Sequence, residues 1–270
     1  MKSNYIYSKN YDTSYIASSN KMGGKQRGGY IYVEGSFDQR VFRKSSQKFG
    51  KFFRAVGPKK EVILKLKNSQ TDCKGIVDMD YDFEGDEISF SDKIVDTNNA
   101  CCLFGYLMKN KNNKDIIFFC KQIIHKVVNE NEKKIEILKQ LDEEKEFFLD
   151  FIFNLTIINL FKGENNDSTG KDIELNWILL TSDMDEGLKK LLQRHNFQKF
   201  KEYRKEKIVD QGKKNHIGIN DHALENAIKC LIESCGDINY QEKKISGEIH
   251  KLILKNIDTQ NVNLIVEKLA

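Results

Sequence analysis

Hydrophobic and polar positions alternate over residues 30–34, where Tyr-Ile-Tyr-Val-Glu is rich in β-branched and aromatic side chains and closes on an acid followed by Gly35. A period of two in such residues predicts a strand. From Asp38 the period lengthens. Val41, Phe42, Phe49, Phe52 and Phe53 offer an apolar face and Arg40, Arg43, Lys44, Lys48 and Lys51 a charged one, so residues 38–53 read as a basic amphipathic helix. Val56 is a candidate start for a short strand, Pro58-Lys59-Lys60 makes a turn, and Val62 to Leu66 fits either a strand or a short helix. Gly75-Ile76-Val77-Asp78-Met79 predicts another strand and Ile94-Val95-Asp96-Thr97 a further short one. Strands alternating with helices imply an α/β class with a mainly parallel sheet flanked by helices.

Beyond about Ala100 the pattern turns helical. Leu138, Leu141, Phe148, Ile152 and Leu155 recur at threes and fours, and the segment from Phe147 to Phe161 is apolar on most sides. A helix that apolar is buried, either in its own domain or against a second copy of the chain, a homodimer. Gly163 to Gly170 reads as a loop. Residues 175–180 around Trp177, 184–205, 220–234 and 242–269 read as further helices. The first 27 residues carry Ser18-Ser19-Asn20 and Gly23-Gly24 as breakers and read as an irregular arm. Gly28-Gly29-Tyr30 lacks the Gly-Lys-Ser/Thr ending of a phosphate-binding loop, so no ATP site follows. The expected organisation is an arm over 1–27, an α/β domain over 28–125 and a mostly helical C-terminal domain over 126–270. His216 and His222 flank Gly218-Ile219-Asn220-Asp221, a loop suited to a general acid or, as the preferred reading, to capping the next helix with Asn220 or Asp221.

Composition adds little to this picture except through charge. With 39% hydrophobic and 31% charged residues in 270, the chain is globular in type. The net charge is only +4, but residues 1–60 hold thirteen Lys or Arg against three acids, a net +10, leaving −6 for the rest. A basic segment beside a carboxylate centre suits a polyanion held by its phosphates, although a basic terminus without a partner has the same composition. Six Cys lack any C-x-x-C pair and read as buried thiols of a reducing compartment. No apolar signal segment opens the chain and the 147–161 run is too short to span a bilayer, so a cytoplasmic protein without a membrane partner is expected.

The candidate chemistry lies at the ends of the two predicted strands. In an extended segment Asp78, Asp80 and Asp82 share a face, and residues 72–92 hold eight acids against one Lys. A solvated acidic turn would look the same, but hard oxygen donors so clustered also suit Mg²⁺ or Mn²⁺. Glu34 stands at the C-terminal edge of its strand, the edge at which open α/β sheets bind ligands. It is placed to act on a proton beside a metal held by Asp78, Asp80 and Asp82, with Asp38 completing the shell or positioning Arg40. Arg40, Arg43 and Lys44 are the candidate nucleic-acid contacts.

A strand ending in Glu-Gly with Asp four residues after the Glu, then a hydrophobic strand ending in Asp-x-Asp, resembles the TOPRIM fold of topoisomerases, primases, OLD-type nucleases and maturation ribonucleases. The wording VEGSFDQRVF and GIVDMDYD is similar to the DUF4435 group of TOPRIM-like proteins, which includes the nuclease subunit of the PARIS antiphage system. The likeness covers roughly residues 28–105. It implies a Mg²⁺- or Mn²⁺-dependent nuclease with Glu34, Asp38, Asp78 and Asp80 as catalytic residues and Glu34, Asp78, Asp80 and Asp82 as metal ligands. RNA, tRNA in particular, is the implied substrate, and an ATPase of a defence system the implied restraining partner. An OLD-like DNA nicking nuclease would use the same residues. One departure stands out: Asp96-Thr97-Asn98-Asn99 supplies only Asp96 where the family often carries a further acid, which also fits a non-catalytic nucleic-acid-binding or regulatory subunit.

Overall fold

A computed structural model of the chain describes residues 30–49, 52–69, 73–78, 94–96, 102–108, 111–164, 184–192, 197–213, 219–257 and 259–268. The expected 1–27 arm, Asp80, Asp82, Trp177, His216 and most of the 163–170 loop lie outside these residues.

Four strands form one sheet: β1 (Tyr30–Val33), β2 (Phe52–Ala55), β3 (Lys74–Val77) and β4 (Ile94–Asp96). Their order is β2-β1-β3-β4 and every pairing is parallel. Burial along β1 alternates as the sequence does, Ile31 and Val33 being buried while Tyr30 is exposed and Tyr32 half-buried. Helix α1 (Ser36–Phe49) packs on the Ile31 and Val33 face with Phe37, Val41 and Phe42. Helix α2 (Lys59–Lys67) packs on the other face, where Val62 and Leu66 meet Tyr32, Cys73 and Val77. The result is a parallel sheet between helical layers, as the alternation predicted.

One boundary differs from expectation and one open choice is decided. Residues 52–55 pair with β1 instead of prolonging the preceding helix, because Phe53 satisfies its burial equally well from a strand, stacked on Phe42 at 5.2 Å between ring centroids. A strand there also closes one edge of β1 with hydrogen bonds, which a helix cannot do. The ambiguous 62–66 stretch is helical.

The C-terminal region is mostly helical in its described parts: α3 (Leu103–Met108), α4 (Asn113–Val127), α5 (Asn131–Glu143), α6 (Lys145–Glu164), α7 (Met184–Leu192), α8 (Phe197–Lys213), α9 (Asp221–Ser234), α10 (Ile245–Lys255) and α11 (Thr259–Glu267), with an isolated antiparallel bridge between Val128 and Tyr240. The stretch expected as a single helix over 242–269 is divided and led in by a 3₁₀ turn at Glu242–Lys244, and the described parts of 184–205 are helical in α7 and α8. The apolar α6 is buried within its own chain, against α9, α8, α4 and α5. Two of its polar side chains, Asn154 and Thr156, are fully buried and hydrogen-bonded. Asn154 donates to the Asp150 carbonyl at 2.8 Å, and Thr156 donates to the Ile152 carbonyl while accepting from the Asn220 backbone N–H at 3.3 Å. One cluster of buried side chains runs from Ile31 in the sheet to Val266 in α11, so sheet and helices share a core across residue 125. None of the described helices is long and apolar enough to cross a membrane.

Candidate active site at the carboxyl edge of the sheet

The chain passes from β1 to β2 on one side, then returns past β1 to place β3 on the other. That reversal falls between β1 and β3, and the carboxyl ends beside such a point are where parallel sheets bind ligands. Glu34 follows β1 and Asp78 follows β3.

The Glu34 carboxylate joins three elements. Its Oε1 accepts the backbone N–H of Asp78 at 2.7 Å, and its Oε2 accepts that of Lys59 at 2.9 Å. Lys59 is the first residue of α2, behind Pro58, so this N–H is one of the donors a helix leaves unpaired at its start. A negative charge there also meets the positive end of the helix dipole. The turn that delivers α2 requires Gly57, at φ +125°, whose N–H donates to the Glu34 carbonyl at 3.1 Å.

The aspartates follow the same logic. Asp78 Oδ1 accepts the N–H of Leu103, the first residue of α3, at 2.8 Å. Asp38, in the first turn of α1, accepts the Gly35 N–H through Oδ2 at 2.7 Å. Glu34, Asp38 and Asp78 are therefore gathered at one sheet edge by backbone donors. Asp80 and Asp82 lie outside the described residues, and so do the 97–101 residues beyond Asp96. Among the described residues no group of three or more His, Cys, Asp or Glu is placed to hold a metal ion. The chemistry of the donors nonetheless fits Mg²⁺ or Mn²⁺, since Glu34, Asp38 and Asp78 offer only hard carboxylate oxygen.

Of the three expected basic contacts, Arg40 donates through Nε to the Ser36 carbonyl at 3.2 Å, and Arg43 is exposed. Lys44 turns elsewhere: its ammonium donates to the Leu254 carbonyl in the last turn of α10, clasping the sheet layer to the helical region. Compared with models of known families, with curated proteins and with solved structures, the chain finds no match.

A neighbouring pair was not legible in the sequence. His250 on α10 stacks on Phe37, the residue before Asp38, with ring centroids 4.3 Å apart, and its Nε2 lies 3.3 Å from Asp221 Oδ2. Asn220 caps α9 as expected, accepting from the N–H groups of His222 and Ala223. Asp221 is instead the partner of a histidine 29 residues away, a pairing without a local pattern to announce it.

Burial raises the pKa of both acids here, but their net shifts run in opposite directions. Burial by itself would raise the pKa of Asp221, but the His250 hydrogen bond and the charges of His222 and His250 outweigh it and hold the group below its usual value. Stability from Asp221 is therefore present above the unfolded pKa and lost as pH falls through the folded one. Glu225 is pushed up, chiefly by burial, so the fold tolerates its ionised form less well. That penalty grows as pH rises from the free glutamate value of 4.5 through the folded pKa. Glu225→Gln is expected to raise the melting temperature at pH 7, with the difference from wild type vanishing below pH 4.5, checked by thermal unfolding across pH. An equal shift at all pH values would contradict this account.

Proposed function

We propose that this chain is a Mg²⁺- or Mn²⁺-dependent nuclease of TOPRIM-like type, hydrolysing phosphodiester bonds of nucleic acid, with RNA, and tRNA in particular, as the favoured substrate. The supporting observation is the placement of Glu34 and Asp78 directly after β1 and β3, at the sheet's point of reversal, with Glu34 accepting the Asp78 N–H and Asp38 accepting the adjacent Gly35 N–H. Asp78 with Asp80 and Asp82 would hold the metal, and Glu34 would act beside it. When bound, the metal would polarise a phosphoryl oxygen and lower the pKa of a bound water. The residues of the chain supply position. Two backbone N–H groups fix the Glu34 carboxylate, and the first turns of α2 and α3 make the edge receptive to negative charge. The likeness to the DUF4435 group extends the proposal to an antiphage effector restrained by an ATPase partner.

One observation favours a second reading, a non-catalytic binding or regulatory subunit. Both Glu34 oxygens hold structural elements together, a role the residue would keep in a site that had lost its chemistry. Incubating the protein with Mg²⁺ or Mn²⁺, total tRNA and plasmid DNA, beside Asp78→Asn, separates the two. The nuclease reading expects metal-dependent cleavage of one polymer that the variant loses, whereas cleavage that survives Asp78→Asn removes the assigned site. Calorimetric titration of Mg²⁺ adds a readout independent of activity, with binding expected in the wild type and lost in Asp78→Asn.

A further inference from the structure

The face of the sheet that carries α2 is covered unevenly, for a reason at a single residue. Gly75 on β3 sits beside Tyr32, and a Cβ there would lie 2.8 Å from Leu66 Cδ1 and 2.9 Å from Val62 Cγ1. With no side chain in the way, α2 settles closely onto β3. The outer part of the same face, at β1 and the edge strand β2, leaves Tyr30 and Arg54 exposed and Tyr32 half-buried.

Tyr32 pairs in register with Arg54, and the alternation of a strand puts Tyr30, Tyr32 and Arg54 on one face. Tyr30 and Tyr32 stack at 6.4 Å with an interplanar angle of 21°, and the Arg54 guanidinium lies over the Tyr30 ring at 5.8 Å. Tyr30 is 41% exposed, and Arg54 and Lys65 are exposed as well. Tyr32, Arg54, Ala55, Val56 and Lys65 line a concavity of about 250 Å³ with no carboxylate among its described lining residues. Ring faces for stacking, flanked by two cations and free of acids, are the chemistry that receives unpaired bases and their phosphates.

We propose that this face binds a single-stranded segment of nucleic acid, a base stacking on Tyr30 while Arg54 and Lys65 meet the adjoining phosphates. The inference rests on the nuclease reading for its direction: Tyr32 stands two residues before Glu34, about 7 Å along the strand at 3.3 Å per residue, so a chain laid along β1 leads to the carboxylate edge. Charge complementarity selects this occupant, since a polyanion answers both cations, whereas a duplex with its bases inside leaves the rings unused.

Binding measured in EDTA tests this apart from cleavage. A short oligonucleotide containing 2-aminopurine is titrated into the full chain in single-stranded ribose, single-stranded deoxyribose and duplex forms. Single strands are expected to bind with quenched fluorescence and the duplex more weakly; the two single-stranded arms show which sugar is preferred. Tyr30→Ala is expected to weaken binding by roughly tenfold and abolish the quench, with Tyr30→Phe restoring both. Lys65→Ala, on an exposed helix surface where folding is not at stake, is expected to reduce the slope of log affinity against log salt by about one. No binding by the wild type, or Tyr30→Ala and Lys65→Ala both binding like wild type, overturns the proposal even if metal-dependent cleavage is found. Tyr30-dependent binding without cleavage upholds the stacking face while the nuclease reading fails.

Discussion

Glu34→Ala is expected to lower stability by about 2–4 kcal/mol and to reduce metal-dependent cleavage by on the order of 10²–10⁴. Both effects come from one carboxylate. Its removal leaves the Lys59 and Asp78 N–H groups without their acceptor, each a charge-assisted bond, and releases the end of β1 from both α2 and β3. On the nuclease reading, the expected loss of cleavage follows from the charge removed at the edge. Glu34→Gln separates the contributions, since its carbonyl keeps one acceptor while the charge disappears. Urea unfolding should place the Gln variant between wild type and Ala, whereas its activity should match that of Ala. A Gln variant as active as wild type would confine Glu34 to a structural role and favour the non-catalytic reading.

The second large effect is expected at Gly75, where packing rather than charge is the cause. A strand-interior glycine is ordinarily improved by alanine, because the unfolded chain loses freedom. Here the opposite sign is expected. The added methyl meets Leu66 and Val62 below 3.0 Å, and overpacking of this kind costs about 1–3 kcal/mol. Gly75→Val is expected to cost more than Gly75→Ala and to reduce cleavage as well, because pushing α2 away from β3 pulls the Lys59 N–H from the Glu34 carboxylate. Combining Gly75→Ala with Leu66→Ala should be less harmful than the sum of the two, since each makes room for the other. Additive losses in a denaturation cycle, or a stabilised Gly75→Ala, would refute the close approach of α2 to β3. Gly75→Val also tests the uncovered aromatic face from a distance, because a displaced α2 carries Lys65 with it.

What the sequence determined by itself is the part of the molecule written in local periods. The alternation over 30–34 requires β1, the apolar run at 75–77 requires β3, and an acid directly after each strand puts Glu34 and Asp78 at the carboxyl edge of any parallel sheet they share. The apolar excess of 147–161 demands burial for α6, and Asn220 caps α9 with its own side chain. These outcomes depend on contacts within a few residues or on the water-averse character of one segment.

Tertiary structure decided the rest. Phe52–Ala55 carries side chains that suit a helix face or a strand, and the open edge of β1 settled it as β2. The donors that hold Glu34 come from positions 59 and 78, and the partner of Asp221 comes from position 250. Lys44, on the basic face of its helix, found the carbonyl of Leu254. In each case the deciding group is a backbone N–H, a carbonyl or a ring brought from a distant segment. Backbone groups are the same at every position and leave no mark in a sequence, so only the packed chain shows which of them meet.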